Sequence, residues 1–520
     1  MSLQLWLALV GGGALASLVS TILVRRWAAQ LGLVDLPDGH RKLHRRPIPL
    51  GGGVAVWLAM LAVIGTALYV PNPARDILAT DSFQLIGLLA AGSAIVVLGL
   101  ADDRFKLRGR HKLLGQIAAA GILAACGFAF NRVSLFGWEI DLGIFGVPFA
   151  LFWLVGAINA INLLDGIDGL ATTLGIILSL TIGAMALLTH QTAEALIALV
   201  FAGTLLGFLP LNFPPASVFL GDAGSMLIGL VVGALAIQSS LKGPGTVLLA
   251  APLGVWTIPL LDTLAAILRR KLTGRSIYTT DRSHLHHRLL ILLGSNLKVL
   301  ACVALFCAIT SAAGLASLFA KNDLIALVAS LGVVTVLVAT GIFGRAEFSL
   351  VFGRLKLLGQ SLFSPLASDG AGSLQHVVRL QGSLPWDRVW SRLTDSAEDL
   401  GLNRICLDVH LPAAQEEYHA TWDHPFREAG ENGWRLQMPL TIAGKSVGTL
   451  MFIGDQDGFS ARQDIERLLA VLEPVESELA ALAEVHAGLD ARAHSIAPAL
   501  VPGDVPEMAI DSPPSPKRPK

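Results

Sequence analysis

The chain reads as an α-helical polytopic membrane protein of about eleven transmembrane helices, with a small C-terminal cytoplasmic α+β domain. Three observations predict this class. Of 520 residues, 53% are hydrophobic and only 15% charged, against roughly 45–50% and about 25% in soluble chains; the mean hydropathy is +0.63. The apolar excess is confined to the first two-thirds, where long apolar runs recur up to about residue 343. Beyond that point the charge density rises and the runs stop. A run of roughly 18 or more apolar residues is long enough to cross a hydrocarbon core as a helix.

Taken in order, the expected spans are 3–24, 51–70, 83–101, 113–130, 147–163, 170–189, 193–210, 225–241, 247–268, 299–320 and 324–343. The first reads as a spanning helix rather than a signal peptide, because Arg25 and Arg26 follow the apolar stretch instead of preceding it. Gaps 25–50, 102–112 and 269–298 hold six, five and seven Lys/Arg, whereas the gaps on the other side total four. This asymmetry puts the N-terminus outside and the C-terminus in the cytoplasm. A multi-pass membrane protein is expected. The four cysteines form no CxxC and suggest neither a disulfide frame nor a zinc site.

Five polar clusters fall on the cytoplasmic side: DLPDGHRKLHRRPIPLGGG (35–53), DDRFKLRGRHK (102–112), NAINLLDGIDGLA (159–171), FLGDAGS (219–225) and DRSHLHHRLL (281–290). Singly, each has a dull explanation as a topology signal, turn or cap. Their joint placement on one face points to chemistry. Asp102, Asp103, Asp165, Asp168 and Asp222 lie at or near the ends of apolar helices, where ionised carboxylates are costly, about 2.5–3.5 kcal/mol at a span's centre and less near the interface. That cost calls for cations. Asp165 and Asp168 are three apart, so a helical turn would put both on one face. Hard oxygens without thiols favour Mg²⁺, with Mn²⁺ as the substitute, over zinc. Lys106, Arg108, Arg110, Lys112, Arg282 and Arg288 suit a diphosphate, and His284, His286 and His287 can donate to phosphate oxygens, with a zinc-like metal loop or a plain surface loop as the alternatives. Metal-assisted chemistry on a phosphorylated substrate at the membrane face follows from the residues alone.

The order and content of these motifs resemble the polyprenyl-phosphate N-acetylhexosamine-1-phosphate transferases, over about residues 1–345. LVDLPDGHRKLHRRPIPLGGG is similar to the family's first cytoplasmic loop, and DDRFKLRGRHKLLGQ to its acidic pair with following lysines. NAINLLDGIDGLA resembles its NxxNxxDGxDG segment, and FLGDAGSMLIG its GD-x-GS segment. DRSHLHHRLL is closest to the HxHH form of the amino-sugar branch, which tilts the donor toward UDP-N-acetylglucosamine and away from phospho-MurNAc-pentapeptide.

The resemblance implies transfer of a sugar-1-phosphate from a UDP-N-acetylhexosamine to a polyprenyl phosphate lipid, with release of UMP. It implies Asp222 and Asn162 as Mg²⁺ ligands, and Asp102 or Asp103 as the residue that deprotonates or orients the lipid phosphate. Asp165 and Asp168 would hold the nucleotide sugar or tune the metal site. Phe219 is a candidate for stacking on uracil, with a packing role as the alternative. His284, His286, His287 and Arg288 would engage the diphosphate or sugar, while Lys106 and Lys112 would neutralise phosphate. Asn159 joins the substrate-binding set, and Lys42 and His44 are weaker candidates. A direct attack and a covalent route through an Asp both remain open. The partners are the nucleotide sugar, the lipid and the membrane, with no nucleic acid; a homodimer is compatible with the sequence.

Residues 1–345 form the transferase domain and 346–373 a Gly/Ser-punctuated linker. Between 374 and 485, LQHVVRL, RICLDVHL, WRLQMPL and SVGTLMFIG read as strands, the last two joined by TIAGK. WDRVWSRLTDSAEDLG and SARQDIERLLAVLEPVESELAALAEV read as helices. The strand–hairpin–helix ending resembles the GAF sensory fold. Residues 486–520 form a Pro-rich tail expected to be disordered. Two other classes fit the pattern less well. A transporter would spread ionisable residues along the spans, and a membrane-anchored sensor would not need eleven spans or five polar loops.

Overall fold

The computed structural model describes residues 2–28, 30, 32–35, 47–130, 132–135, 138–241, 289–290, 292–340, 374–381, 386–397, 400–411, 416–424, 434–442 and 445–454. The chain divides into two compact units, Met1–Val351 and Phe352–Lys520.

The first unit is a helical bundle. Helix α1 (Leu3–Ala28) leads through the paired strands β1 (Val34–Asp35) and β2 (Ile48–Pro49) into α2 (Gly52–Tyr69). Then come the short α3 (Pro73–Thr80), α4 (Ser82–Phe105), α5 (Gly109–Ala125), the hairpin β3–β4 (Arg132–Leu135, Trp138–Asp141) and α6 (Gly146–Leu164). Helices α7 (Leu170–Leu188), α8 (Thr192–Asn212) and α9 (Gly221–Leu241) follow, and α10 (Asn296–Ala320) and α11 (Asp323–Ala339) close the unit. Eight helices among the described residues are long and apolar enough to cross a membrane. Helices α5 and α11 stand at the expected spans 113–130 and 324–343 but are 17 residues each. The expected span 247–268 lies outside the described residues.

Two details differ from the sequence reading. The gap 71–82 carries a helix, α3, capped by the Asn72 side chain, which accepts the N–H groups of Ala74 and Arg75; Pro73 in its first turn needs no donor there. The gap 131–146 carries the β3–β4 hairpin rather than plain loop. Span 113–130 ends early for that reason, since the chain turns at Cys126–Gly127 toward the hairpin.

Helix α9 is the hub. It packs on α2, α4, α6, α7 and α8, and 89% of its spanning window is buried, against 17% for the peripheral α1. Backbone contact at its start requires glycine. A Cβ on Gly53 of α2 would lie 2.1 Å from the Gly224 nitrogen, and one on Gly99 of α4 would lie 2.2 Å from the Ala223 Cα. Small residues let helices approach closely where lipid supplies no hydrophobic drive. Three backbone hydrogen bonds between distant segments then fix this end: Gly52 and Gly53 N–H donate to the Phe219 and Leu220 carbonyls, and Phe219 N–H donates to the Pro49 carbonyl.

The second unit holds a five-stranded antiparallel sheet of order β5-β7-β6-β9-β8, built from Leu374–Gln381, Glu416–Asp423, Leu402–Leu411, Lys445–Gly454 and Trp434–Ile442 respectively. The expected β8–β9 hairpin is present, with Ile442 paired to Lys445. Strand β7 was missed, because EEYHATWD carries too few aliphatic residues to read as a strand. Helix α12 (Trp386–Asp395) packs on β6 and β7 over a core that includes Trp386, Trp390, Tyr418, Trp422 and Phe452. The long helical pattern from 460 and the tail lie outside the described residues.

Candidate active site

Four helix ends meet at one end of the bundle: the last turns of α4 and α6 and the first turns of α5 and α9. Each polar side chain there is held by where its helix begins or stops. Helix α4 ends at Lys106, whose left-handed backbone (φ 52°) turns the chain; the Asp102 carboxylate accepts the Leu107 N–H at 2.8 Å and braces that turn. Helix α9 begins at Gly221 (φ 73°), a conformation that side chains rarely adopt, and a Cβ there would sit 2.6 Å from Asp103 Oδ2. Asp103 Oδ1 accepts the Asp222 N–H at 3.0 Å. A carboxylate from α4 thus caps the first turn of α9, satisfying an orphan donor and opposing the positive end of the helix dipole.

The Lys112 ammonium lies at the centre. It donates to Asp222 Oδ2 at 2.9 Å and Asn162 Oδ1 at 3.1 Å, and pairs with Asp102 Oδ2 at 2.9 Å. Asn162 Nδ2 donates to Asp222 Oδ1 (2.8 Å) and Ser225 Oγ (2.9 Å). Three oxygens from α4, α6 and α9 therefore converge on one cation. One turn further along each helix, Asn159 Nδ2 donates to Gln116 Oε1 at 2.8 Å, and Gln116 Nε2 reaches Met226 Sδ at 3.4 Å. Gln116 and Ser225 were not singled out from sequence, although both lie within quoted motifs. The usable signal was a polar residue one turn from a charged one on an apolar helix.

Asp165 and Asp168 do not share a helical face. Asp165 is the residue after α6, and Asp168 lies in the turn before α7, where Gly169 has φ 73°. The helix stops before Asp165, and the next one starts only after Gly169. Burial, together with the facing carboxylates of Asp222, Asp103 and Asp168, pushes Asp165 well above the usual carboxylate range. Asp168 Oδ2 instead accepts the Ala216 N–H at 2.9 Å and anchors the loop after α8. That loop is also held by Asn212, which accepts from Thr172 Oγ1 and donates to the Val218 carbonyl.

Lys106 is exposed and Phe219 half-buried. His284, His286, His287 and Arg288, and the first-loop Lys42 and His44, lie outside the described residues. The structure thus brings Asp102, Asp103, Lys112, Asn162 and Asp222 together, with Asn159 one turn below and Asp165 close enough to feel their charge.

This donor set suits a hard cation. Asp102 and Asp222 both pair with Lys112, Asp103 and Asp165 lie close enough to Asp222 to interact with its charge, and Asp103 Oδ2 is buried without a hydrogen-bond partner. Among the described residues no three His, Cys, Asp or Glu side chains form a ready-made metal cage. Mg²⁺ does not need one, since it is held by one or two carboxylates plus substrate phosphates and water.

Residues 85–240, which contain all of these side chains, match the model of the family described as glycosyl transferase family 4. The chain is similar to a probable undecaprenyl-phosphate N-acetylglucosaminyl 1-phosphate transferase of Bacillus subtilis, 33% identical over 53% of this chain and 75% of the relative. It is similar to a decaprenyl-phosphate N-acetylglucosaminephosphotransferase of Mycolicibacterium smegmatis, 33% identical over 64% of this chain and 87% of that one. It also resembles the undecaprenyl-phosphate alpha-N-acetylglucosaminyl 1-phosphate transferase of Escherichia coli K12, at 32% identity over 51% and 70%.

Proposed function

The chain belongs to glycosyl transferase family 4, among the polyprenyl-phosphate N-acetylhexosamine-1-phosphate transferases, and on that premise we propose that it transfers N-acetylglucosamine-1-phosphate from UDP-N-acetylglucosamine to a polyprenyl phosphate. The product would start a lipid-linked cell-envelope glycan. The observation that carries this reading is the convergence of Asp102, Lys112, Asn162 and Asp222 at one end of an apolar bundle. A transporter would distribute such groups along the spans.

In the direct route, an oxygen of the lipid phosphate attacks the sugar-side phosphorus of the diphosphate. The bond from that phosphorus to the UMP oxygen breaks, and UMP departs. With a second phosphate pKa near 6, most of the lipid phosphate is already deprotonated at neutral pH, so Asp102 or Asp103 orients the nucleophile more than it removes a proton. Asp103 is well placed to fix geometry, because its other oxygen holds the start of α9. Asp222 and Asn162 are the residues that would hold Mg²⁺, with Mn²⁺ as a substitute. The bound metal supplies positive charge to a diphosphate under attack by another anion. Lys112, already shared among Asp102, Asn162 and Asp222, is positioned to turn its ammonium to the phosphates. Phosphoryl transfer needs little more than such positioning and charge stabilisation.

The finer topology belongs to the same reading: eleven spans in a bacterial inner membrane, N-terminus outside, and the site and C-terminal unit in the cytoplasm. The test is purification of the full chain in detergent, followed by incubation with UDP-N-acetylglucosamine, undecaprenyl phosphate and Mg²⁺. Equimolar UMP and a lipid heavier by one N-acetylhexosamine phosphate are expected. Failure to release UMP from that donor, with turnover of UDP-MurNAc-pentapeptide instead, would reassign the sugar.

A further inference from the structure

Beneath the charged layer lies a second polar layer in the same register. Lys112 and Gln116 are four apart on α5, Asn162 and Asn159 three apart on α6, and Asp222 and Met226 four apart on α9. Each step is about one turn, roughly 5.4 Å, and all three lead from the site into the bundle. Helices α5 and α9 begin at the site and α6 ends there, so the lower layer repeats the upper one residue for residue. Gln116 links Asn159 and Met226 there, as Lys112 links Asn162 and Asp222 above. Asn159 Nδ2 donates to Gln116 Oε1 at 2.8 Å, Gln116 Nε2 donates to Asn159 Oδ1 and Met226 Sδ at 3.4 Å each, and Asn159 Nδ2 also donates to the Val155 carbonyl at 2.8 Å.

Gln116 is 1% exposed. Neither resident of the pair is free to meet a ligand through the groups already engaged. A reciprocal amide pair is also a directional device that apolar packing is not. Leucine at 116 would fill the volume but allow α5 to rotate or slide against α6, whereas the amide pair has one register. Lys112 lies one turn along α5 from that clamp and Asn162 one turn along α6, so a small rotation at the lower layer moves both relative to Asp222.

We propose that Gln116 is a positioning residue, which through Asn159 locks α5 and α6 in the register that presents Lys112 and Asn162 to Asp222. This rests on the transferase reading above. Misplacement of reacting groups by about 1 Å can cost on the order of 100-fold in rate, so losing the clamp should act on turnover rather than on substrate affinity.

The test uses the full chain in detergent, with rates normalised to monodisperse protein and UMP release followed against UDP-N-acetylglucosamine. Gln116→Leu, Gln116→Asn and Asn159→Gln should each lower kcat about tenfold while KM stays within about twofold. The exchange variant Gln116→Asn/Asn159→Gln keeps the summed side-chain length and both amides, and should recover kcat to within about threefold of wild type. Single variants with wild-type kcat, or an exchange no faster than the slower single, would overturn the proposal. So would a parallel rise in KM, which would place the pair in substrate contact. If Gln116→Leu does not fold, the two amide variants and their exchange decide the matter. A wild-type chain without turnover would overturn the transferase reading itself, and this inference with it.

Discussion

The polar groups of the two units are organised in opposite ways. In the membrane unit, Lys112 binds Asp222 across 110 positions of sequence, and Asp103 reaches Asp222 across 119; the groups form one network in an apolar bundle. In the sheet unit, Arg404 pairs with Asp423 on the adjacent strand, and Tyr418 donates to Asp387 of the helix above it. Those are separate pairs, and strand register alone brings the first together. Polar contacts that follow from local register stabilise a fold. A network assembled from distant helix ends, where charge is expensive, signifies chemistry.

Breaking the network should have the largest effect. Asp222→Ala is expected to reduce UMP release about 100- to 1,000-fold, the scale of losing a preorganised charged group, while membrane extraction yields normal amounts of protein. Near-normal turnover at saturating Mg²⁺ would remove Asp222 from the metal site. The sheet unit should answer in the other currency. Trp422→Ala deletes a fully buried ring and should cost about 3–5 kcal/mol locally, seen as faster proteolysis of the C-terminal unit. UMP release should stay within about threefold, because a separate unit keeps its own core. A matching collapse of activity would show that the units are coupled.

Smaller effects sharpen the comparison. Gly53→Ala forces a methyl against the Gly224 backbone, and overpacking of this kind costs about 1–3 kcal/mol. A lower thermal midpoint of the membrane unit, with reduced kcat, is expected. Asp165 offers the subtlest test. Its folded-state pKa is raised, so above about pH 4, the usual carboxylate range, the folded chain retains a proton that the unfolded chain has lost. Stability in EDTA should therefore fall as pH rises. Asp165→Asn should flatten that slope in melting scans.

Much of this was legible in the sequence, for identifiable reasons. Span-length apolar runs leave few alternatives, so ten expected spans coincide with described helices. The clusters around Asp102, Asn162 and Asp222 stood out because nothing apolar explains them. What failed was geometry at helix ends. Asp165 and Asp168 read as one helical face, but the first stands at a helix end and the second in a turn. Asp103's cap on α9 depends on a contact between helices that no local pattern encodes. Gln116 and Ser225 were overlooked because uncharged polar residues are ordinary in short windows, and their partners are far along the chain. Strand β7 was hidden by its polar outer residues, although Tyr418, Ala420 and Trp422 alternate inward.

The most direct measurement is a double-mutant cycle on UMP release with Lys112→Met, Asp222→Asn and the pair. If the two side chains serve one cation-binding centre, the double variant should be about as slow as the slower single, since groups that act as a unit are strongly non-additive. Losses that simply multiply would mean that Lys112 and Asp222 act independently, and the single centre inferred from their 2.9 Å contact would not exist.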